Sequence, residues 1–323
     1  MKLAIALIIV IALALLGFGL SPAEGISTIV SGAFGGEVGW GRTLVNMAPL
    51  LLTGLGITVA WKAGMYNIGG EGQYITGGLL GAAIARTQFG GPWAILLATA
   101  IGGALCGALA GWLQVKRGVH VAISTILLNF IALQALAWAV TGPLQAPGTT
   151  ASQTEELAPP QMLTRFSSRT DLHMGVLLAV VAAIMIWGYL NFTRPGFQLR
   201  LTGENPRAAR AARLNADRIR LQAMALSGAL CGLAGGVQFA GVSGVIDTGF
   251  NQQWGFLGIP VALLGGLNAL GVIVSSFLFG GLMAGTQTLS RTAPGGDLLI
   301  FVVQGAAVLA FLFFQPKREP THA

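Results

Sequence analysis

Long apolar runs with almost no charge constrain this chain more than any other feature of its sequence. Only 9% of its 323 residues are charged, and the mean hydropathy is +0.74. A soluble globular domain carries roughly 25% charged residues, so the composition argues against a soluble enzyme. A helix needs about 20 apolar residues to cross a bilayer. The sequence therefore predicts an all-α, polytopic integral membrane protein.

Ten apolar runs are predicted to span the membrane, with both termini inside. In that orientation the inside segments carry 13 of the 18 Lys and Arg residues, in agreement with the positive-inside rule. The run after Lys2 also fits a cleaved signal peptide, but a first helix gives a consistent topology. The predicted spans are residues 2–20, 43–61, 72–87, 92–113, 119–140, 173–192, 221–240, 254–268, 271–289 and 298–315.

Two long outside segments interrupt the spans of what is predicted to be a single transmembrane domain, 1–323. Residues 21–42 are rich in Gly and Ser, and residues 142–172 contain four prolines and two glutamates. Both are too polar for hydrocarbon, which does not tolerate unpaired backbone groups. We expect each segment to be either a plain connecting loop or the site of a short surface helix that meets an external partner.

The spacing of glycines indicates which spans pack closely. Glycine occupies 48 positions, and on two predicted spans it recurs at every fourth residue. Such a stripe leaves one helix face without side chains, so a neighbouring backbone can approach it. The stripes are Gly103, Gly107 and Gly111 on the fourth span and Gly228, Gly232 and Gly236 on the seventh.

The sequence lacks the motifs of several catalytic chemistries. It contains no HExxH, CxxC, GxSxG or P-loop motif, and its predicted spans carry almost no ionisable groups. We therefore expect a conduit that holds no metal or other cofactor and is driven by another protein. The net charge of +7 does not indicate a nucleic-acid partner, because one loop, residues 193–220, carries +5 of it.

Polar residues interrupt the apolar pattern at two places. Residues 65–73, MYNIGGEGQ, form either a broken helix beside a water-filled cavity or a tight cytoplasmic turn with a helix capped near Asn67. Asn129, inside the fifth span, either packs against another helix or lines a path. The side chains predicted to face a translocation path, where they can hydrogen-bond a polar solute, are Asn67, Glu71, Gln73 and Asn129.

The Arg-rich loop contains the signal of a helix start. Asn205 is a good N-cap and Pro206 suits the first helical position, so a short cationic helix is predicted from there to about Leu214. This helix either binds anionic lipid or docks into a cytosolic protein. In the docked arrangement its small alanines allow a close approach, with Ala209 at the contact.

Four parts of the chain resemble one family of membrane proteins. They are NIGGEGQ (67–73), STILLNFIAL (124–133), GENPRAARAARLN (203–215) with SGALCGLAGG (227–236), and GIPVALLGGLNALGVIVSSFLFGGLMAG (258–285). These segments are similar to permease subunits of bacterial ABC importers, in the group that takes up branched-chain amino acids, simple sugars and nucleosides. The NIGxEGQ form is closest to the nucleoside-type permeases.

The resemblance implies a subunit of the bacterial cytoplasmic membrane that imports a nucleoside, or alternatively a ribose-like sugar, by alternating access. It implies three protein partners besides membrane lipid: a second related permease, a cytosolic ATPase that holds ATP and Mg²⁺, and an external substrate-binding protein. The alternative from another class is a self-sufficient facilitator or secondary transporter.

The resemblance also implies that the Arg-rich helix is the coupling helix that docks into the ATPase. Family members often carry glycine where this chain has Arg213, so we expect the helix to continue further here. The residues assigned to coupling are Glu204, Asn205, Pro206, Arg207, Ala208, Ala209, Arg210 and Arg213.

Overall fold

The computed structural model describes residues 9, 12, 13, 15–17, 19–167, 169–291, 302 and 305. Within these residues the fold is all-helical, and β pairing is confined to isolated bridges. The α-helices are α1 (Pro22–Phe34), α2 (Gly36–Lys62), α3 (Gly70–Ala85), α4 (Pro92–Arg117), α5 (Val121–Thr141), α6 (Met174–Phe192), α7 (Arg194–Glu204), α8 (Pro206–Ala211), α9 (Ala216–Gln238), α10 (Trp254–Leu264) and α11 (Ala269–Ser290). A π turn follows α9 at Phe239–Ser243, and 3-10 turns lie at Pro159–Gln161 and Thr248–Phe250.

Six helices in the described part of the chain are long and apolar enough to cross a membrane. They are α2, α4, α5, α6, α9 together with its π turn, and α11. The predicted span 72–87 corresponds to α3, which has 16 residues. The predicted spans 2–20 and 298–315 lie mostly outside the described residues, which in these ranges are 9, 12, 13, 15–17, 19, 20, 302 and 305.

The predicted span 254–268 is wrong as a complete crossing. Helix α10 has 11 residues and is therefore about 17 Å long, roughly half of the hydrocarbon thickness. The helix ends because Gly266 and Leu267 both adopt positive φ, at 66° and 53°. The apolar composition continues through this turn, so hydropathy alone does not reveal where the helix stops.

The predicted outside segment 21–42 is helical, as α1 and the first turns of α2. Its glycines pack against other helices in the same compact unit, which comprises Met1–Asn46 and Leu278–Ala323. A methyl group on Gly32 would lie 2.6 Å from the Thr288 side chain, and one on Gly285 would overlap the carbonyl of Ile29. The glycines here permit close helix packing, although a sequence rich in Gly and Ser is equally typical of a loop.

The second compact unit, Met47–Phe277, is organised around the packing of α4 against α9. Methyl groups on Gly103 and Gly107 would overlap the carbonyls of Gly228 and Met224. Gly232 contacts Thr99 and Gly103 in the same way. The two helices run in opposite directions with their backbones in contact, and this packing fixes the frame on which the polar residues are placed.

Candidate functional site

Helix α2 ends in a turn that leads into a non-helical stretch, residues 63–69, which we call the polar bend. Gly64 has φ 75°, and the amide of Met65 donates to the carbonyl of Ala60 across 2.9 Å. This is a Schellman motif, in which a left-handed residue closes the helix. The chain resumes as α3 at Gly70, so the bend separates two apolar helices.

The side-chain amide of Asn67 is the centre of the bend. Its Nδ2 donates to Gln73 Oε1 and to Ser227 Oγ, both at 2.9 Å. Its Oδ1 accepts from the Gly69 amide at 2.8 Å and from Gln73 Nε2 at 3.2 Å. An amide offers two donor hydrogens and one oxygen with two lone pairs, so Asn67 uses its complete hydrogen-bonding capacity.

The side chain of Asn129, on α5, bonds to the backbone on either side of Gly69–Gly70. Its Oδ1 accepts from the Gly72 amide at 2.8 Å, and its Nδ2 donates to the Ile68 carbonyl at 3.1 Å. The Ile68 amide donates to the hydroxyl of Thr125, one turn earlier on α5. Backbone groups that the broken helix leaves free are thus paired by α5, as a low-dielectric interior requires.

Glu71 joins the start of α3 to the start of α10. Its two carboxylate oxygens accept from the backbone amides of Gln253 at 3.2 Å and Gly255 at 2.7 Å. The free amides and the dipole at a helix N-terminus favour an anion, so α10 receives its anion from within the chain. The backbones also meet here, because a methyl group on Gly70 would lie 3.0 Å from the Gly255 carbonyl.

The structure brings the four predicted path residues together in one cluster. Their side chains are at most 2% exposed, and each is hydrogen-bonded within the chain. That they face a translocation path therefore stays a prediction about another conformation. Sequence reasoning missed Ser227, which completes the bonding of Asn67. The only signal for it was a lone hydroxyl beside the glycine stripe of α9.

The Arg-rich loop folds into two short helices with side-chain caps. The Thr193 hydroxyl accepts from the Gly196 amide at the start of α7, and Asn205 Oδ1 accepts from the Ala208 amide at 3.0 Å at the start of α8. Pro206 occupies the first turn of α8, where its missing N–H is not needed. The loop thus has a defined, capped structure.

The predicted extension of the cationic helix to Leu214 and beyond is wrong. Helix α8 ends at Ala211, Arg213 has φ 54°, and the Leu214 amide donates to the carbonyl of Ala209 at 3.0 Å. Arg213 thus occupies the left-handed position of a Schellman motif, for which glycine is the usual residue.

Exposure divides the coupling residues into two faces. Ala209 is fully buried against its own chain, so it is not available for the outer contact assigned to it. Ala208 is half-buried. The exposed coupling residues are Glu204, Asn205, Pro206, Arg207, Arg210 and Arg213, and the neighbouring Ala211 and Ala212 are exposed as well.

Helix α7 contacts the polar bend directly. A methyl group on Gly203 would overlap the Lys62 carbonyl and lie 2.7 Å from the Gly64 amide nitrogen. Beside this contact, Lys62 Nζ and Glu204 Oε1 are 3.9 Å apart. The Arg-rich loop and the bend therefore touch through backbone, without intervening side chains.

A cavity of about 220 Å³ lies beside the segment 142–172, in which the described residues form one 3-10 turn. Its walls come from the end of α3, from that segment and from the π turn after α9. Residues lining it include Ala82, Arg86, Glu155, Glu156, Gln161 and Phe239. The mixture of charged, amide and apolar groups suits a polar solute with an apolar face.

The described part of the chain combines helices that are long and apolar enough to cross a membrane with a buried polar cluster at a helix break. The chain belongs to the family described as "branched-chain amino acid transport system / permease component", whose model matches residues 39–311. The resemblance seen in the sequence is confirmed. The protein is a multi-pass integral membrane protein of the bacterial inner membrane, and a transport subunit rather than an enzyme.

Three relatives cover most of the chain. It is 34% identical to the guanosine ABC transporter permease protein NupP of Bacillus subtilis, over 86% of this chain and 82% of that protein. It is 29% identical to the nucleoside ABC transporter permease protein NupB of Lactococcus lactis subsp. cremoris, over 93% of this chain and 86% of that protein. It is 28% identical to the glucose ABC transporter permease protein TsgB13 of Haloferax volcanii, over 94% of this chain and 85% of that protein. A solved chain of a metal-chelate type ABC transporter, 14% identical, superposes with a TM-score of 0.48 over 96% of this chain and 97% of that one.

Proposed function

We propose that this chain is the permease subunit of an ABC importer that moves a nucleoside inward by alternating access. The observation that carries the proposal is the similarity to a guanosine permease across most of both chains. The second nucleoside permease matches a still larger share of this chain. The polar groups that such a solute presents, on a base and a ribose, suit the mixed lining of the cavity beside residues 142–172.

The proposed energy source is ATP, hydrolysed with Mg²⁺ on a separate cytosolic ATPase, while this chain holds no cofactor. A second related permease completes the membrane part, and an external binding protein delivers the solute. The relatives are described as ABC transporter permease proteins, which supports the ATPase partner. The absence of a P-loop from the sequence agrees with ATP hydrolysis elsewhere.

The proposed coupling element is α8, with its exposed Arg207 and Arg210 toward acidic groups of the ATPase. Its caps and its tight C-terminal turn make it a short rigid body. Movement of α8 passes to α7, and from Gly203 to Gly64 in the polar bend. Because those two glycines are in backbone contact, no flexible side chain absorbs the movement.

Reconstitution in proteoliposomes tests the import function. We expect uptake of labelled guanosine only when the two permeases, the ATPase, the binding protein and ATP are all present. Robust uptake by this purified chain alone would instead identify a facilitator or secondary transporter. A glucose permease among the relatives makes a simple sugar the second candidate solute. ATP-driven uptake of a pentose or hexose, with no uptake of any nucleoside, would establish that alternative.

The coupling element is tested with Ala211→Trp in the assembled importer. Ala211 is exposed, so the bulky side chain opposes docking without disturbing the fold. We expect substrate-stimulated ATP hydrolysis and uptake to fall together at least roughly tenfold, while membrane insertion is unchanged. Exposed ion pairs contribute little each, so Arg207→Gln alone should have a mild effect. A helix that only binds lipid gives the opposite result: Ala211→Trp is harmless, and loss of all three exposed arginines abolishes function.

The link to the bend is tested with Gly203→Ala. The added methyl group overlaps the Lys62 carbonyl and separates α7 from the bend. We expect ATP hydrolysis to continue while uptake per ATP falls. Gly188→Ala on α6 is the matched control, because nothing lies within 4 Å of the added carbon. Equal uptake per ATP in the two variants would exclude this route.

A further inference from the structure

Two polar atoms near the start of α10 are buried without a partner in the described part of the structure. They are the hydroxyl of Tyr74 on α3 and Oδ1 of Asn251. Tyr74 is 0% exposed. A buried tyrosine hydroxyl normally finds a hydrogen-bond partner, so an exception calls for an explanation in terms of structure or function.

The Tyr74 ring stacks on the ring of Phe250. Their centroids are 4.8 Å apart and the planes are inclined by 26°. Phe250 lies in a non-α segment, residues 244–253, which we call the second break; it separates the π turn from α10. Irregular backbone within a membrane protein is stable where it is buried in protein or lines a water-filled cavity. Short π and 3-10 turns are frequent at functional hinges.

One face of α3 connects this aromatic pair to the cavity beside residues 142–172. Tyr74, Gly78 and Ala82 follow one another at intervals of one turn, and Ala82 lines the cavity. A methyl group on Gly78 would lie 2.6 Å from the ring of Phe250 and 3.2 Å from the side chain of Ile246. These two side chains therefore fill the space between the cavity and Tyr74.

The second break is tied to the segment 142–172 at Ile246. The Ile246 amide donates to the Thr154 hydroxyl at 3.0 Å, and the Thr154 amide donates to the Ile246 carbonyl at 2.8 Å. A displacement of the segment 142–172 thus pulls on the residues that cover Tyr74.

We propose that Tyr74 and Phe250 are the two walls of a nucleobase-binding slot in the translocation path, closed on each other in this structure. The inference rests on the proposed nucleoside import and names the residues that recognise its substrate. When the second break moves, the two rings separate and a base inserts between them. Every base has a π face, so such a slot accepts purines and pyrimidines. The Tyr74 hydroxyl donates to a ring nitrogen or carbonyl of the base, and Asn251 Oδ1 accepts from an exocyclic amine.

Tyr74→Phe and Phe250→Leu test the slot in the complete importer. The first variant removes a buried hydroxyl that makes no bond in the closed state, so we expect a melting temperature equal to or above that of the wild type. We expect the rate of guanosine uptake at saturating binding protein to fall roughly tenfold, as the loss of one hydrogen bond to substrate predicts. Tyr189→Phe on α6 is the matched control and should retain the wild-type rate. Phe250→Leu should also lower uptake, because it removes one stacking surface.

Photolabelling of the wild-type importer with an azido-substituted guanosine during ATP turnover gives a second measurement. We expect label in peptides covering residues 70–82 and 246–254, and loss of that label in Tyr74→Phe. Wild-type uptake in both variants, or label confined to other peptides, overturns the slot while leaving nucleoside import intact. A wild-type importer without ATP-driven nucleoside uptake overturns the import function itself, and the slot with it.

Discussion

The two breaks in the helices of the second unit differ in how completely their polar groups are bonded. In the polar bend, Asn67 makes four hydrogen bonds, and glycine occupies the position that needs positive φ, Gly64. In the second break, Asn251 Oδ1 is unpaired within the described structure, and a glutamine, Gln253, has φ 61°. A break whose polar groups are all hydrogen-bonded is expected to be rigid. A break with an unpaired group and a strained residue breaks fewer favourable interactions when it changes conformation. We therefore expect the first break to contribute mainly to stability, and the second to move during transport as the proposed slot requires.

The largest effect is expected for Asn67→Ala. Removing the amide leaves its buried partners, which are polar groups of Gln73, Ser227 and Gly69, without a hydrogen bond. Each unpaired buried group destabilises the folded state by about 1–3 kcal/mol. We expect the free energy of unfolding to fall by about 3–5 kcal/mol, measured by thermal unfolding of the purified permease in detergent. Asn251→Ala in the second break is the matched control, with an expected loss below about 1 kcal/mol because its oxygen makes no bond. A larger loss of stability in Asn251→Ala than in Asn67→Ala would contradict the difference inferred between the two breaks.

The π turn that precedes the second break should respond to pH through its neighbour His173. The ring contacts Gly241 in the π turn, and its Nε2 is unpaired within the described residues. Burial, then the Arg165 cation, lower the pKa of His173 to about 4, opposed by Asp171. The unfolded chain binds the proton near its ordinary pKa of 6.5. The stabilisation is therefore complete above pH 6.5 and disappears between pH 6.5 and 4, by about 3 kcal/mol.

Melting temperatures between pH 7.5 and 4 measure this effect. His173→Asn keeps a capping side chain at the start of α6 but cannot titrate, so its stability should depend less on pH than that of the wild type. His120→Asn, at the exposed start of α5, should retain the wild-type pH dependence. Identical pH profiles for wild type and His173→Asn would remove the histidine from this role.

A smaller effect is expected for Asn129→Leu, which separates the two roles considered for this residue. Its bonds to Gly72 and Ile68 join α5 to the polar bend, so its loss should lower the free energy of unfolding by roughly 0.6–2 kcal/mol. If it acts only in packing, the uptake of guanosine per folded importer is unchanged. A fall in substrate affinity at normal stability would place Asn129 in the path. Normal uptake with normal stability would exclude both roles.

The sequence predicts the long helices and the family well, because apolar runs of about 20 residues have few other stable forms in a membrane. Prediction from sequence fails where the same residue type is common in two different kinds of local structure. Glycine and serine in residues 21–42 leave a loop and a short surface helix equally open, whereas the glycines pack against other helices. The run 254–268 stays apolar past the end of α10, so hydropathy does not show where the helix stops. Arg213 adopts a left-handed conformation that is not predictable from an arginine side chain.

The candidate site could likewise be predicted from the sequence only in part. Asn67, Glu71, Gln73 and Asn129 are recognisable because polar residues are rare in this chain, and the structure brings them together. Their partners include backbone amides of residues 253 and 255, about 180 positions away in sequence, which no local pattern reveals. The pairing of Tyr74 with Phe250 is likewise a property of the tertiary structure, since aromatic residues are common in apolar spans.

The smallest expected effect concerns backbone strain, and it sharpens the contrast between the breaks. Gln253 has positive φ, which glycine adopts without strain, so Gln253→Gly should stabilise the fold by about 0.5–1 kcal/mol. The backbone amide that donates to Glu71 is retained in the variant. Gly64→Ala in the polar bend is the opposite change and should destabilise by about 1–2 kcal/mol. If strain in the second break aids its movement, Gln253→Gly should also slow guanosine uptake, because relieving the strain favours the closed state. A variant that is more stable and transports at the wild-type rate would show that this strain has no part in transport.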